Sequence, residues 1–211
     1  MITCKTPFRV SFLGGGTDLL PWINYAGKGH VISTTINKYG YIFFREINNL
    51  YNYNYKIRYY LNETSNNINK IKHPVIKHGL QYYNIKNKKI HITYDGELPS
   101  RSGLGTSSSF TVGFINSIYS FKNKKINKLN LAKQAINFEH NILKEHSGLQ
   151  DQIAVSYGGL NYIQFKPTNF KVSKLKISNQ KIKTLSNSLY LCLVPGSRNS
   201  SDIEKKKKKN V

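Results

Sequence analysis

The sequence has few cysteines, few acidic residues and no long apolar segment, and each shortage excludes a class of protein. The two cysteines, Cys4 and Cys192, are too few for a disulfide framework and are not spaced as metal ligands. No run approaches the ~18 consecutive apolar residues of a membrane span. The N-terminus lacks the basic and then apolar segments of a signal peptide. These shortages exclude a membrane protein and a disulfide scaffold, and we expect a soluble cytoplasmic protein.

Basic residues far outnumber acidic ones. The 32 Lys and Arg against 10 Asp and Glu give a formal net charge of +22. Such a charge is typical of proteins that bind nucleic acids. However, lysine is scattered and occurs together with asparagine, isoleucine and tyrosine, all of which have AT-rich codons. Genome composition therefore also explains the charge, and we favour that interpretation.

The length of 211 residues corresponds to one large domain, or to one and a half. Apolar alternation and β-branched content predict strands, and recurrence every three to four residues predicts helices. The predicted strands are 2–13, 31–35, 39–46, 89–94, 160–165 and 189–194; the predicted helices are 19–25 with Asp18 as N-cap, 74–83, one beginning near Phe110, 127–143 and 148–156. We expect a strand and loop in 48–69 and a loop with one strand in 166–187.

A loop rich in glycine and serine, 103–109, leads directly into the helix near Phe110. Backbone N–H groups at a helix N-terminus lack partners, and the helix dipole adds partial positive charge, so the loop suits a phosphate group. Glycine lets the ligand approach the backbone, and the hydroxyls add donors or a Mg²⁺ ligand. The loop is not a P-loop, because no Lys-Ser/Thr pair follows the second glycine. A serine-rich cap on a core helix is the alternative interpretation.

Three charged residues stand at positions where charge needs a partner. Glu139 falls within the apolar stripe of the predicted helix 127–143, where a carboxylate needs a cation, a metal or several hydrogen bonds. Mg²⁺ is held by one or two carboxylates plus substrate phosphates, so Glu139 suits it. Alternatively, Glu139 pairs with a lysine or lies at the solvent end of the stripe. Asp151, taken alone, is an ordinary helix-start residue, and Arg9 lies in a mostly apolar strand beside three glycines.

In this order, the motifs resemble the GHMP small-molecule kinases. The matching segments are Pro7-x-Arg9-Val with Gly14 and Thr17-Asp18, then Pro99-x-x-x-Gly-Leu-Gly-Thr-Ser-Ser, then Glu139 with Asp151-Gln152 twelve residues later. Within the family the chain is most similar to the D-glycero-D-manno-heptose 7-phosphate kinases. The segments that carry this likeness are 12–18, 33–39, 103–113 and 157–161.

The resemblance implies a role for each matching residue. The residues expected around the ATP phosphates are Pro99, Gly103, Leu104, Gly105, Thr106, Ser107, Ser108 and Ser109. Ser107 and Glu139 are expected to hold Mg²⁺. Asp151 is expected to take or orient the proton of the sugar hydroxyl, and Arg9 to steady Asp151 and the moving phosphoryl group. The residues expected to contact the sugar phosphate are Gly16, Thr17, Asp18 and Arg198.

The resemblance also implies an α+β fold: a two-layer N-terminal domain with the βαβ topology of some ribosomal proteins, followed by a second domain. We expect the ATP-binding domain at 1–186 and the start of a second, truncated domain with a lysine-rich tail at 187–211. The expected activity is ATP-dependent phosphorylation of the anomeric hydroxyl of a heptose 7-phosphate or a related sugar. The chain is then truncated or frameshifted, or its missing domain is a separate chain. The alternatives are an inactive fragment and a basic nucleic-acid-binding protein.

Overall fold

A mixed sheet of seven strands is the frame of the fold in the computed structural model, which describes residues 1–85, 88–100 and 102–192. The strands are β1 (Ile2–Leu13), β2 (Gly29–Glu46), β3 (Tyr55–Arg58), β4 (Asn62–Ser65), β5 (Ile90–Gly96), β6 (Leu160–Lys166) and β7 (Asn169–Lys174). Their order is β4-β3-β5-β2-β6-β7, and β1 pairs antiparallel with β2. The helices are α1 (Leu20–Ala26), α2 (Pro74–Tyr82), α3 (Thr106–Phe121), α4 (Lys128–Asn137), α5 (Gln150–Tyr157) and α6 (Asn179–Asn187).

Strand β2 is the centre of the sheet. The sequence predicts two strands here, and the structure has one continuous strand of 18 residues. The polar segment around Asn37 does not break it, because β1 pairs with β2 on both sides of that segment, with a register shift between Pro7 and Arg9. The first part of β2 pairs with β6 and the last part with β5.

The helices pack against the sheet and bury two hydrophobic clusters. The larger cluster joins β2 and β5 to α2, α3 and α4, with Phe44, Ile92 and Phe114 fully buried. The smaller cluster joins α1, α4 and α5 to β6 around Ile23, Ile153 and Phe165. Strands β3 and β5 are parallel and are connected through α2, which makes a βαβ unit. The expected two-layer α+β fold is confirmed.

Three predicted elements differ from the structure. The predicted helix 127–143 divides into α4 and a π-helical turn, Phe138–Ile142. Helix α6 lies where a loop was expected, because its pattern of lysine and asparagine with widely spaced apolar residues obscures the helical period. The strand predicted at 189–194 is wrong for residues 189–192, which form no strand, and its last two positions lie outside the described residues.

Candidate active site

The loop before α3 has the backbone geometry of an anion-binding site. Gly103 and Gly105 both have positive φ, +77° and +70°, a region that L side chains rarely adopt. Gly105 is the N-cap of the 16-residue helix α3 and has no side chain to accept the first helical N–H groups. Because those donors lack intrahelical acceptors, the end of the helix can bind an anion such as phosphate.

Arg9 and Asp151 form an ion pair against this loop. Arg9 Nε donates to Asp151 Oδ1 and Arg9 Nη2 to Oδ2, each at 2.6 Å. Arg9 also donates to the loop, from Nη1 to the Gly103 carbonyl at 2.7 Å and from its backbone N–H to the Leu104 carbonyl at 3.0 Å. A Cβ on Gly105 would lie 3.0 Å from Arg9 Cγ and 3.4 Å from Asp151 Oδ2. The loop, the arginine and the aspartate are therefore in direct contact with one another.

The three serine hydroxyls at the end of the loop, 107–109, have different surroundings. Ser108 Oγ donates to Glu139 Oε2 at 3.1 Å, and Ser109 Oγ donates to the Thr6 carbonyl at 3.3 Å. Ser107 is exposed, and so is Pro99. The serine that contacts Glu139 is therefore Ser108 and not Ser107, because successive helical residues point about 100° apart. Ser109 is held inside the protein by its contact with β1.

Glu139 lies in the π-helical turn and is 1% exposed. Its Oε2 accepts hydrogen bonds from Ser108, from Ser147 Oγ at 3.4 Å and from Gln152 Nε2. Burial raises the pKa of Glu139 to about 7 from its ordinary value of 4.5, and the charge of Glu145 adds to the rise. The prediction that Glu139 lies on a buried face is confirmed, and no lysine in the described part of the chain forms an ion pair with it.

The second oxygen of Glu139 suits a cation. Glu139 Oε1 is buried and has no hydrogen bond of good geometry among the described residues, although the hydroxyl of Thr111 acts on this carboxyl and counteracts the rise of its pKa. A buried carboxylate oxygen without a partner is costly unless something positive meets it. No cluster of three or more His, Cys, Asp or Glu side chains in the described part of the chain could hold a metal alone. The donor set therefore fits Mg²⁺, which takes one or two carboxylates and completes its shell with phosphate oxygens and water.

Asp18 is also buried, at 2% exposure, but it is not the N-cap of α1; that position is Leu19. Its carboxylate accepts hydrogen bonds from the backbone N–H groups of Gly16 at 3.0 Å and Gln150 at 3.2 Å. A Cβ on Gly148 would lie only 2.0 Å from Asp18 Oδ2, so the two segments touch. Burial, with a further contribution from the charge of Asp151, raises the pKa of Asp18.

Thr17 has a structural contact that the sequence did not suggest. Its hydroxyl accepts the backbone N–H of His30 and lies 2.8 Å and 2.9 Å from the carbonyl oxygens of Gly14 and His30. Thr17 thus attaches the glycine turn to β2. Gly16 has a φ of +99° and open space where a Cβ would stand. Arg198, the fourth residue expected to contact the sugar, lies outside the described residues.

The fold brings most of the predicted residues together. The charge of Asp151 contributes to the raised pKa of both Asp18 and Glu139. The sequence analysis missed Ser147 and named Gln152 only as part of a matching motif; both side chains donate hydrogen bonds to Glu139. Gln152 follows Asp151 directly, but no periodicity marks it, because its function depends on a contact with another helix.

Comparisons with known proteins agree with this geometry. Residues 68–159 match the family model described as GHMP kinases N terminal domain. The chain is 31% identical to the D-glycero-alpha-D-manno-heptose 7-phosphate kinase of Campylobacter jejuni, over 98% of this chain and 63% of that protein. The structure is similar to a D-glycero-D-manno-heptose 1-phosphate kinase from Bacteroides thetaiotaomicron, with a TM-score of 0.77, 25% identity, and coverage of 87% of this chain and 62% of that one.

A putative sugar kinase from Campylobacter jejuni is also similar, with a TM-score of 0.66, 25% identity, and coverage of 87% of this chain and 58% of that chain. The chain therefore spans less than two thirds of the length of these relatives. No helix in the part of the chain that the structure describes is long and apolar enough to cross a membrane.

Proposed function

The chain contains a GHMP kinase N-terminal domain, and on that premise we propose that it is the ATP-binding part of a sugar kinase. The proposed reaction transfers the γ-phosphoryl group of ATP to the anomeric hydroxyl of a heptose 7-phosphate or a closely related sugar phosphate. Two of the relatives are named as kinases of a manno-heptose phosphate, which supports this substrate class.

The observation that carries the proposal is the Arg9–Asp151 pair held against the glycine loop. Phosphoryl transfer needs positioning and neutralisation of charge more than covalent chemistry by the protein. The loop and the N-terminus of α3 bind the phosphates. Asp151 orients the sugar hydroxyl and accepts its proton, while Arg9 keeps the carboxylate in place and faces the loop where the transferred group lies.

Glu139 is the proposed protein ligand of Mg²⁺, through the oxygen that has no partner. Ser107 and Ser108 are the two hydroxyls available beside it: Ser108 already contacts Glu139, and Ser107 is exposed on the first turn of α3. When bound, Mg²⁺ neutralises charge on the ATP phosphates. Comparing Ser107→Ala with Ser108→Ala in Mg²⁺ titrations identifies which hydroxyl contributes.

The acidic residue Asp18 is proposed to bind sugar hydroxyls together with the backbone of Gly16 and Thr17. Asp18 lies on the connection between β1 and α1, and the charge of Asp151 contributes to its raised pKa. The hydroxyl of Thr17 is hydrogen-bonded to the backbone of His30 on β2, so we expect Thr17 to contact the sugar only through its backbone. The contact of Arg198 with the sugar phosphate stays a prediction.

The test is an assay of ATP-dependent phosphorylation of heptose 7-phosphate, with the position of the new phosphate read by nuclear magnetic resonance. Arg9→Met is expected to lower kcat/KM at least about 100-fold, because it removes both hydrogen bonds that the Arg9 guanidinium donates to Asp151. Arg45→Met is the matched control, since Arg45 is exposed on β2 and contacts His91. Equal activity of the two variants would contradict the assigned role.

The alternative functions predict different outcomes for MgATP binding, turnover and polyanion binding by the same purified protein. An inactive fragment binds MgATP without turnover. A nucleic-acid-binding protein binds polyanions with strong salt dependence and has no use for a carboxylate buried behind a glycine loop. The contacts of Glu139 and Asp151 favour the kinase.

A further inference from the structure

Gln152 is a fully buried polar residue at the centre of the site, at 0% exposure. Its Nε2 donates to Glu139 Oε2 and to Ser147 Oγ, the latter at 3.3 Å. Its Oε1 has no partner among the described residues. A buried amide that leaves one polar atom without a partner needs a compensating interaction at its other atom.

The chemistry of the contact determines the orientation of the amide. In its ionised form, the form that binds a cation, the Glu139 carboxylate only accepts hydrogen bonds, so the NH₂ group of Gln152 faces it. The donors from Ser108, Ser147 and Gln152 all reach the same oxygen, Oε2, and none reaches Oε1. This one-sided arrangement fixes the carboxylate by one oxygen and leaves the other available to a cation.

Helix α5 connects this contact to the second acidic residue of the site. Asp151 and Gln152 are neighbours on α5, and they bind different partners: Asp151 binds Arg9 on β1, and Gln152 binds Glu139 in the π-helical turn. Because a helix is rigid over a single residue step, a shift of Gln152 relative to Glu139 also changes the relation between Glu139 and Asp151.

We infer that Gln152 is a positioning residue: its amide holds Glu139 Oε2 so that Oε1 is set to bind the divalent cation at a fixed place relative to Asp151. The inference rests on the proposed function and adds a residue to it. Gln152 touches neither nucleotide nor sugar; it acts through Glu139. Residues that orient a metal ligand typically contribute about 10- to 100-fold to metal affinity.

The experiment measures the affinity of the whole chain for ADP by calorimetry, with and without Mg²⁺, in the wild type and in Gln152→Met. Methionine keeps the length of the side chain and removes the amide. We expect the Mg²⁺-dependent part of the affinity to fall about 10- to 100-fold, and the affinity for ADP without metal to stay within about twofold. Gln134→Met is the matched control, because Gln134 is a partly buried glutamine on α4 that accepts a hydrogen bond from Tyr83 at 3.3 Å.

A second variant, Gln152→Glu, separates hydrogen bonding from charge. If only negative charge mattered, the added carboxylate would strengthen Mg²⁺ binding. If the amide donor matters, Mg²⁺ affinity falls at least as far as in the methionine variant, since a carboxylate cannot donate to Glu139. Should the glutamate variant fail to fold, as judged by circular dichroism, the methionine variant decides the question.

The outcomes are distinct. Wild-type Mg²⁺ dependence in Gln152→Met, with the fold intact, would overturn the inference and leave the proposed function standing. A wild-type chain that binds no magnesium nucleotide at all would contradict the proposed function, and the inference with it.

Discussion

Arg9 and Asp151 are 142 positions apart in the sequence, yet the guanidinium of one donates two hydrogen bonds to the carboxylate of the other at 2.6 Å. Planar, bidentate pairs of this kind are among the stronger and more directional polar contacts in proteins. The pair joins strand β1 to helix α5 beside the loop that begins α3. Asp151 is thereby held beside the N-terminus of α3, whose first N–H groups have no side-chain cap.

Gly105→Val is expected to abolish binding of MgATP. The substitution forces a β-branched residue to a φ of +70°, and its Cβ would lie 3.0 Å from Arg9 Cγ and 3.4 Å from Asp151 Oδ2. Calorimetry with MgATP measures the effect. Gly27→Val is the control, because Gly27 also has a φ of +70° but open space for a Cβ, at the C-cap of α1. Unchanged MgATP affinity in Gly105→Val would remove the phosphate-loop assignment.

Asp151→Asn is expected to keep nucleotide binding and to lower kcat by about 10²- to 10⁴-fold, the usual contribution of a positioned base. The substitution preserves shape and removes the charge that accepts the proton in the proposed reaction. The measurement uses a version of the chain extended by the C-terminal third of one of its relatives, with calorimetry and a coupled kinase assay in parallel. A kcat equal to that of the wild type would leave Asp151 as an ordinary helix-start residue.

The pKa of Glu139 predicts how stability depends on pH in the absence of metal. The folded pKa of about 7 lies above the ordinary value of 4.5, so the unfolded chain ionises first as the pH rises. The stabilising effect of the protonated form is fully present below about pH 4.5 and is lost as the pH rises through 7. The free energy of unfolding should therefore fall by about 2–4 kcal/mol from this group between pH 4.5 and 8.

Glu139→Gln isolates that contribution. Glutamine is neutral throughout, so the decrease with pH should be smaller in the variant by about the same 2–4 kcal/mol. The raised pKa of Asp18 acts in the same direction in both proteins and cancels in the comparison. Urea unfolding at pH 5 and pH 8 without Mg²⁺ measures the free energy of unfolding of both proteins. Identical pH profiles for the two proteins would mean that Glu139 is not buried as a protonated acid.

Gly148→Ala is expected to destabilise the protein by about 1–3 kcal/mol, because the new methyl group would overlap Asp18 Oδ2 at 2.0 Å. It should also weaken sugar binding by displacing that carboxylate. Gly15→Ala is the matched control: its Cβ would meet only Gln150 Nε2, at an ordinary 4.0 Å. Thermal unfolding and sugar titration measure the two effects. Equal stability of both variants would show that the two segments are not in contact in solution.

The exposed apolar side chains of helix α6 predict that the 211-residue chain self-associates. Ile182 and Leu185 are 44% and 38% exposed, and no residue of α6 is buried. Neighbouring exposed apolar side chains of this kind favour association with another apolar surface. The double variant Ile182→Ser with Leu185→Ser should shift the chain towards a monomer in size-exclusion chromatography with light scattering. Lys181→Ser with Lys183→Ser is the control on the same helix. A wild-type chain that is already a monomer at high concentration would contradict this expectation.

Local sequence patterns determined the elements that carry the site. The alternation of β1, the two glycines with positive φ and the helical period that follows them depend on residues within a few positions, so they could be read directly. The apolar stripe around Glu139 predicted its burial for the same reason. The resemblance to the GHMP kinases implied that Arg9 steadies Asp151, and Arg9 does contact Asp151.

Only the tertiary structure decided the detailed contacts within the candidate site. The π-helical turn at Glu139, the choice of Ser108 over Ser107, and the amide of Gln152 all depend on how α3, α4 and α5 pack. The burial of Asp18 against Gly148 joins two segments that have no common period. A linear pattern reports which face a residue occupies within its own element, whereas a hydrogen bond between elements also requires their relative distance and rotation, which packing alone determines.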